Sequence, residues 1–198
     1  MLQRTGHART NEVRDCLLTE FCGAKLPGAN QGDVKRSEGG LFYVATMIPT
    51  GAEDEARIAR HRAERAGDGF VTIEWPRDIA GLLSADAGLA RGDSSILLDS
   101  LTALLQNEMF GEDGIDFEAC ERVVPQLLQV LDAADNVVIV SDFIFADAGR
   151  YDEVTERYRK GLARLDRVAA ARCDAVLEVA YSGAIVHKGS VDLGGLLR

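Results

Sequence analysis

A histidine between two arginines is the clearest candidate for chemistry in this sequence. His61 has Arg57 four residues before it and Arg65 four residues after it. Residues four apart lie on the same face of a helix, so this spacing predicts a cationic row with an imidazole at its centre. Such a row suits an anion better than a metal cation, which the arginines would repel. A neutral imidazole nitrogen held against a phosphate could attack phosphorus and form a phosphoramidate.

A carboxylate at the end of an apolar run is the second candidate. Asp99 directly follows three aliphatic residues, a pattern typical of a fully buried strand. A strand that ends in aspartate can hold the water shell of Mg²⁺ beside a nucleotide. Strands also end in aspartate for turn formation, and Ser141 and Asp142 after a later apolar run have the same two interpretations. His61 likewise could be a solvated surface residue, and the sequence leaves both alternatives open.

The segment that carries His61 is predicted to be a helix over residues 52–66. No proline or glycine interrupts it, and most of its residues favour helix. Alanines recur in it at steps of four and three, which predicts a narrow stripe able to lie close to a neighbouring element. The stripe consists of Ala52, Ala56, Ala59, Ala63 and Ala66.

Strands alternate with helices along most of the chain. Strands are predicted at 41–46, 70–73, 95–99, 136–142, 175–180 and 184–187, and helices at 10–22, 79–83, 101–110, 117–131 and 150–173. Pro125 indicates a kink in one helix or two separate segments, and Ser182-Gly183 between two short strands predicts a hairpin. The alternation indicates a mostly parallel sheet with helices on both faces and an antiparallel hairpin at its edge.

In a parallel sheet of this kind, ligands bind outside the carboxyl ends of the strands. That rule selects Thr46, Asp99, Ser141 and Asp142, and the His61 helix follows the first of these ends. The chain is predicted to be a single α/β domain over residues 1–198, in which 41–190 form the core. Residues 1–40 form a divergent segment, with a mobile loop predicted at 23–40 because glycine, proline, asparagine and charge dominate there.

Composition limits the partners of this chain of 198 residues. Its formal net charge of −10 would be repelled by nucleic acid and by anionic membranes. No apolar run is long enough to cross a bilayer, and the first residues lack an apolar signal core. The four cysteines are scattered, without the spacing of a zinc cage or a disulfide framework. We therefore expect a cytoplasmic protein with neither a nucleic-acid nor a membrane partner.

The residues around His61 resemble a known family. R-I-A-R-H-R-A-E-R at 57–65 and T-I-E at 72–74 are similar to the R-I-x-x-H-R-x-x-R and T-x-E segments of bifunctional adenosylcobinamide kinase/adenosylcobinamide-phosphate guanylyltransferases. These enzymes attach the nucleotide loop of cobalamin. Residues 96–102 look like the family's I-L-L-E/D-x-I/L-T strand, and 137–142 like its V-V-x-V-x-N strand. The resemblance covers residues 41–190.

This resemblance implies a fold similar to P-loop and RecA-like nucleotide-binding domains and a homotrimeric assembly. It implies that His61 is the residue that becomes guanylylated, with Arg57, Arg62 and Arg65 as anion contacts and Asp99 as the contact to Mg²⁺. The implied cofactors are Mg²⁺ and GTP, with ATP as a further nucleotide. The implied substrate is a corrinoid, either adenosylcobinamide or its phosphate.

The phosphate loop departs from the family's G-G-x-x-S-G-K-S. Gly6 and Arg9 fit this pattern, and with Thr10 they are the candidate phosphate contacts. Glu12 stands where the family has its phosphate-binding lysine, and Val13 where it has a metal-binding hydroxyl. A glutamate in place of the lysine reverses a charge where phosphates should lie, and such a change is hard to compensate locally. We therefore predict that the kinase activity is lost.

Three functional hypotheses follow from these patterns. The first is a nucleotidyltransferase of cobalamin biosynthesis that transfers GMP through His61. The second is a non-catalytic relative that binds a corrinoid or a nucleotide, or acts as a regulatory subunit. The third is a changed substrate, because Glu12 and Asp142 would make the mouth of the site more acidic.

Overall fold

The computed structural model describes residues 15–20, 40–65, 69–85, 89, 94–134, 136–145, 149–180 and 183–190. The strands are β1 (Asp15–Glu20), β2 (Leu41–Ala45), β3 (Val71–Glu74), β4 (Ser95–Asp99), β5 (Phe110–Gly111), β6 (Gly114–Ile115), β7 (Asn136–Asp142), β8 (Ala175–Ala180) and β9 (Gly183–Lys188). The helices are α1 (Ala52–Arg65), α2 (Gly81–Ala85), α3 (Leu101–Met109), α4 (Ala119–Ala133) and α5 (Glu153–Arg172). The loop predicted at 23–40 lies outside the described residues, except for Gly40.

Seven of the strands form one sheet in the order β3-β2-β4-β7-β1-β8-β9. Every neighbouring pair is parallel except β8 and β9, which form the antiparallel hairpin at one edge. The predicted fold class is therefore confirmed. Strands β5 and β6 form a separate two-stranded hairpin between α3 and α4, where the sequence predicted no strand.

Strand β1 corrects one prediction. Residues 10–22 were expected to be helical, but Asp15–Glu20 are extended and pair with β7 on one side and β8 on the other. A short apolar run such as Cys16-Leu17-Leu18 fits a buried strand and a helix face about equally well. Pairing with strands more than a hundred residues away decides between them, and this pairing cannot be read from local periodicity.

The main core lies between one face of the sheet and helices α3, α4 and α5. Alternate residues of β4 and β7 on this face are fully buried, as Leu98 and Ile139 show. Leu105, Leu127 and Leu162 from the three helices are buried against them in the same cluster. Each such side chain contributes about 1.5–3 kcal/mol through removal of apolar surface from water.

Helix α4 runs through Pro125 as one helix, so the alternative of two separate segments is wrong. A proline inside a helix removes one backbone hydrogen bond and is tolerated when tertiary packing compensates for that loss. The packing here is the core itself, because Val123 and Leu127 on either side of Pro125 are both fully buried.

Helix α1 forms where the sequence predicted it, but its alanine stripe does not pack as expected. The described alanines of the stripe are all exposed: Ala52, Ala56, Ala59 and Ala63. Ala66 lies outside the described residues. The expectation that the stripe lies against a neighbouring element of this chain is therefore wrong. Ile58 on the same helix is half-buried.

Candidate functional site

The carboxyl ends of β2, β3, β4 and β7 open onto a cavity of about 370 Å³. Its lining combines three carboxylates with hydroxyl, amide and apolar side chains, and none of the described residues that line it is a lysine or an arginine. The lining consists of Tyr43, Ala45, Met47, Ile58, Glu74, Asp99, Ser100, Thr102, Ala103, Gln106 and Asp142. The expectation that a site forms at this edge is consistent with the position of the cavity.

Strand register explains why the carboxylates meet. Side chains of one strand alternate between the two faces, and paired residues of neighbouring strands share a face. Ala45 pairs with Asp99 on one side and with Glu74 on the other. Tyr43 lies two residues before Ala45 on β2, so it shares this face. On β7, Asp99 pairs with Val140, and Asp142 lies two residues after Val140, so Asp142 also shares this face. The opposite face is the one covered by α3, α4 and α5.

Asp99 ends β4 at the centre of this lining. Its side chain is half-buried, and its Oδ2 accepts a hydrogen bond from the hydroxyl of Tyr43. Its backbone carbonyl accepts a hydrogen bond from the N–H of Thr46 at 2.9 Å. The ends of β2 and β4 are therefore held together by both backbone and side-chain contacts.

Thr46 links the end of β2 to the start of α3. Its hydroxyl donates to the carbonyl of Ser100 at 2.8 Å and accepts from the N–H of Ser100 at 2.8 Å. Ser100 in turn caps α3, because its Oγ accepts from the N–H of Ala103 at 3.2 Å. The hydroxyls of Thr46 and Ser100 therefore both have hydrogen-bond partners, as buried polar groups usually do.

Asn107 connects the same junction to the end of β3. Its Nδ2 donates to the carbonyl of Thr46 at 2.6 Å and to the carbonyl of Pro76 at 3.0 Å. One amide on α3 thus holds the segments that follow β2 and β3. This contact fixes the position of the cavity wall from which the chain continues into α1.

A second polar group lies behind the cavity at the end of β7. Ser141 is fully buried, and its Oγ donates to Oδ1 of Asp166 at 2.7 Å. Burial raises the pKa of Asp166, the hydrogen bond from Ser141 and the charge of Arg167 oppose this shift, and the charge of Asp142 adds to it, so that the pKa is about 6. Burial also raises the pKa of Tyr158, whose hydroxyl donates to the carbonyl of Thr102 at 3.0 Å.

The histidine row begins beside this cavity. Ile58 on α1 lines the cavity, and His61 lies three residues further along the same helix, less than one turn away. The side chains of Arg57, His61 and Arg65 lie outside the described part of the structure. Arg62 is exposed and forms an ion pair with Glu74. Arg62 is therefore paired with a carboxylate of this chain, and the contact to a substrate anion that the resemblance implies for it stays a prediction.

The other predicted site residues divide between the described and undescribed parts of the chain. Of the four residues that the strand-end rule selected, Asp99 and Asp142 line the cavity, whereas Thr46 and Ser141 are fully buried and do not belong to its lining. Gly6, Arg9 and Thr10 lie outside the described residues.

Two residues that shape the site were not predicted. Tyr43 could have been found from alternation along β2, since it shares a face with the last residue of that strand. Asn107 gives no signal in the sequence, because its partners are backbone carbonyls of distant segments.

The carboxylate oxygens of this cavity suit only a metal ion whose coordination is completed by water and substrate phosphates. No group of three or more histidine, cysteine, aspartate or glutamate residues able to hold a metal occurs in the parts of the chain that the structure describes. Mg²⁺ is usually held by one or two carboxylates together with water and substrate phosphates. Asp99, with Glu74 and Asp142 in the same cavity, provides the oxygen ligands that this mode requires. A Mg²⁺–nucleotide complex therefore fits the residues present, whereas a metal site built from protein ligands alone does not.

A mostly parallel sheet with helices and a cavity at its carboxyl edge places the chain in the class of P-loop-like α/β proteins. Within this class, the family model for cobinamide kinase / cobinamide phosphate guanyltransferase (CobU) matches residues 29–187. The chain belongs to this family. It is therefore related to the kinase- and nucleotidyltransferase-like proteins of cobalamin biosynthesis, a family that uses GTP and ATP and acts on cobinamide.

Solved structures show similarity at low sequence identity. A protein of Pyrococcus horikoshii OT3 aligns with a TM-score of 0.46 at 13% identity, over 91% of this chain and 89% of that chain. The ATP synthase subunit NeqB from Nanoarcheaum equitans aligns with a TM-score of 0.50 at 10% identity, over 93% of this chain and 54% of that chain. The chain thus spans about half the length of the second protein, and this similarity concerns the fold alone. No curated protein sequence matches the chain.

None of the helices in the described ranges is long and apolar enough to span a bilayer.

Proposed function

We propose that this chain is a nucleotidyltransferase that transfers GMP from GTP to a corrinoid phosphate through His61, and that its kinase activity is lost. The observation that carries this proposal is the position of α1. Ile58 lines the same cavity as Asp99, and His61 follows within one helical turn. This position of α1 supports a single site that would contain both the candidate nucleophile and the candidate metal contact.

The proposed reaction proceeds in two displacements. A neutral nitrogen of His61 attacks the α-phosphorus of GTP, a nitrogen–phosphorus bond forms, and pyrophosphate leaves as the bond to the β-phosphate oxygen breaks. An oxygen of the corrinoid phosphate then attacks the same phosphorus, and the bond to His61 breaks. The histidine returns to its starting state, and GMP is joined to the corrinoid through a new phosphoanhydride bond.

Electrostatics assigns the remaining roles in this proposal. Bound Mg²⁺, held by Asp99, would neutralise phosphate charge. Arg57, Arg62 and Arg65 would contact the phosphates of GTP or of the corrinoid. Arg62 must first exchange Glu74 for a phosphate, and this costs little because an exposed ion pair contributes about 0–1 kcal/mol.

The proposed loss of kinase activity follows from the sequence. A phosphate loop of the G-x-x-x-x-G-K-[ST] type follows the first strand of its sheet, and this pattern occurs nowhere in the 198 residues. The best match, in which Glu12 and Val13 replace the key residues, lies before β1 in the chain and not after it. The residues directly after β1, which begin Phe21-Cys22-Gly23, also lack the pattern.

A covalent adduct tests the transferase. Incubation with GTP and Mg²⁺ should add the mass of GMP to the protein, and acid should remove it because a phosphoramidate is acid-labile. His61→Ala should abolish the adduct. His187→Ala is a matched control, since His187 is exposed on the edge strand β9 and pairs with Glu178. Loss of the adduct in both variants, or in neither, would contradict the assignment of His61.

One observation favours a second candidate function, a non-catalytic protein that binds a corrinoid or a nucleotide. The cavity contains three carboxylates, and none of its described lining residues is cationic. Such a lining disfavours free phosphates. GTP binding measured by calorimetry without any adduct would support this second function, and absence of both would exclude GTP as the ligand.

The domain organisation and assembly are part of the same proposal. We infer a single α/β domain that acts in the cytoplasm and assembles as a homotrimer. The support is the one sheet shared by β1 to β4 and β7 to β9, together with the family resemblance. Sedimentation equilibrium of the purified chain would test the trimer.

A further inference from the structure

Tyr43 is the aromatic residue of the cavity that the proposed reaction does not use. It lines the cavity, and its hydroxyl donates a hydrogen bond to Oδ2 of Asp99. A phenol that donates to a carboxylate makes a charge-assisted hydrogen bond, one of the stronger contacts that a neutral side chain can offer.

The surroundings of Tyr43 fix its hydroxyl before any ligand arrives. Strand β2 is paired on both sides, with β3 and with β4, so the backbone of Tyr43 is held within the sheet. The side chain is only 7% exposed. Its ring meets the ring of Phe70 edge to face, with centroids 6.2 Å apart and planes at 85°.

A small neighbour lets Tyr43 reach Asp99. The direct partner of Asp99 on β2 is Ala45, and Tyr43 is its diagonal neighbour on the same face. Diagonal neighbours in a sheet lie about 7–8 Å apart, a gap that a long aromatic side chain can bridge. The methyl group of Ala45 leaves that path open.

We propose that Tyr43 is a positioning residue that fixes the carboxylate of Asp99 for metal binding. Its hydroxyl occupies Oδ2 and prevents the carboxylate from rotating. No donor among the described residues reaches Oδ1 of Asp99, so this oxygen is the one presented to a Mg²⁺–nucleotide complex. This inference rests on the proposed function, in which Asp99 is the metal contact.

The direct test is Tyr43→Phe, which removes the hydroxyl and keeps the ring. Mn²⁺ replaces Mg²⁺ as a probe, and its binding to the full chain with a non-hydrolysable GTP analogue is measured by electron paramagnetic resonance. Loss of one charge-assisted hydrogen bond should weaken Mn²⁺ binding about tenfold. Thermal unfolding of the variant checks that it is folded.

Tyr158→Phe is the matched control. It also removes a tyrosine hydroxyl, but that hydroxyl donates to the carbonyl of Thr102 and not to Asp99. Its Mn²⁺ affinity should equal that of the wild type. In an Asp99→Asn background, Tyr43→Phe should have no additional effect, because its action passes through the carboxylate.

The outcomes separate this inference from the proposed function. If Tyr43→Phe is folded and binds Mn²⁺ as the wild type does, or if it weakens binding equally in the Asp99→Asn background, the positioning role is wrong. If the wild type binds no Mn²⁺ with the analogue, the inference also fails. If Mn²⁺ binding depends on Tyr43 but no GMP adduct forms with GTP, the positioning role stands and the transferase function does not.

Discussion

At the scale of single residues, Asp166 has the most strongly altered environment of the acids around the site. It is largely buried on α5, and its one hydrogen bond from Ser141 does not offset the loss of water. The raised pKa means that the folded protein holds this proton more tightly than the unfolded chain does. As the pH rises from 4 to the folded pKa of about 6, the unfolded chain loses the Asp166 proton before the folded protein does. The free energy of unfolding therefore falls over this range.

Asp166→Asn tests this contribution. The amide keeps the shape and can accept from Ser141 but carries no charge, so the variant should be more stable than the wild type at pH 8, by about 3 kcal/mol. At pH 4 the advantage should disappear, because Asp166 is then protonated in the folded state. Urea unfolding at the two pH values measures the difference.

Asp152→Asn is a control of the opposite sign on the same helix. Hydrogen bonds from Thr155 lower the pKa of Asp152 at the start of α5. The ionised carboxylate of Asp152 stabilises the folded protein at neutral pH, and this stabilisation is lost as the pH falls. Asp152→Asn should therefore gain no stability at pH 8. Equal gains in both variants would show that removal of a negative charge, and not burial, causes the effect.

At the scale of elements, Asn107 determines how α3 holds the ends of two strands. Asn107→Ala removes both hydrogen bonds and leaves the carbonyls of Thr46 and Pro76 without that donor. The free energy of unfolding should fall by about 1–3 kcal/mol. Gln106→Ala, at the neighbouring exposed position on the same helix, should change it by less than about 0.5 kcal/mol. Equal losses in urea unfolding would show that the helix, and not the amide, is responsible.

The sequence predicted most of the elements and the kind of sheet that they form, but not the order of the strands within it. Apolar runs with clear ends, such as β4 and β7, were predicted because a buried strand needs such a run. The exposed alanines of α1 contradict the expectation drawn from their spacing, since periodicity defines a face but not what covers it. The place of Asp99 at the carboxyl edge of the sheet followed from a general rule of parallel sheets, whereas the proposed role of Tyr43 and the position of Asn107 depend on contacts between distant segments.

At the scale of the whole molecule, activity should be limited to one of the family's two reactions. Adenosylcobinamide incubated with the protein, ATP and Mg²⁺ should remain unphosphorylated, because no G-x-x-x-x-G-K-[ST] segment is present to hold the triphosphate. Mass spectrometry of the corrinoid measures the product. A family member with an intact phosphate loop is the positive control, and phosphorylation at a comparable rate would contradict the predicted loss.

The central position of β1 has a consequence for how this chain is made. Its partner strands β7 and β8 begin at Asn136 and Ala175. Strand β1 therefore cannot pair with them until the last third of the chain has been synthesised. Contacts so far apart in sequence are slow to form, and strands that are unpaired meanwhile promote aggregation. A chain shortened past Glu20 would keep β7 and β8 but lack the strand between them. Removal of this early segment should therefore leave an insoluble product, even though every described residue that lines the cavity would still be present.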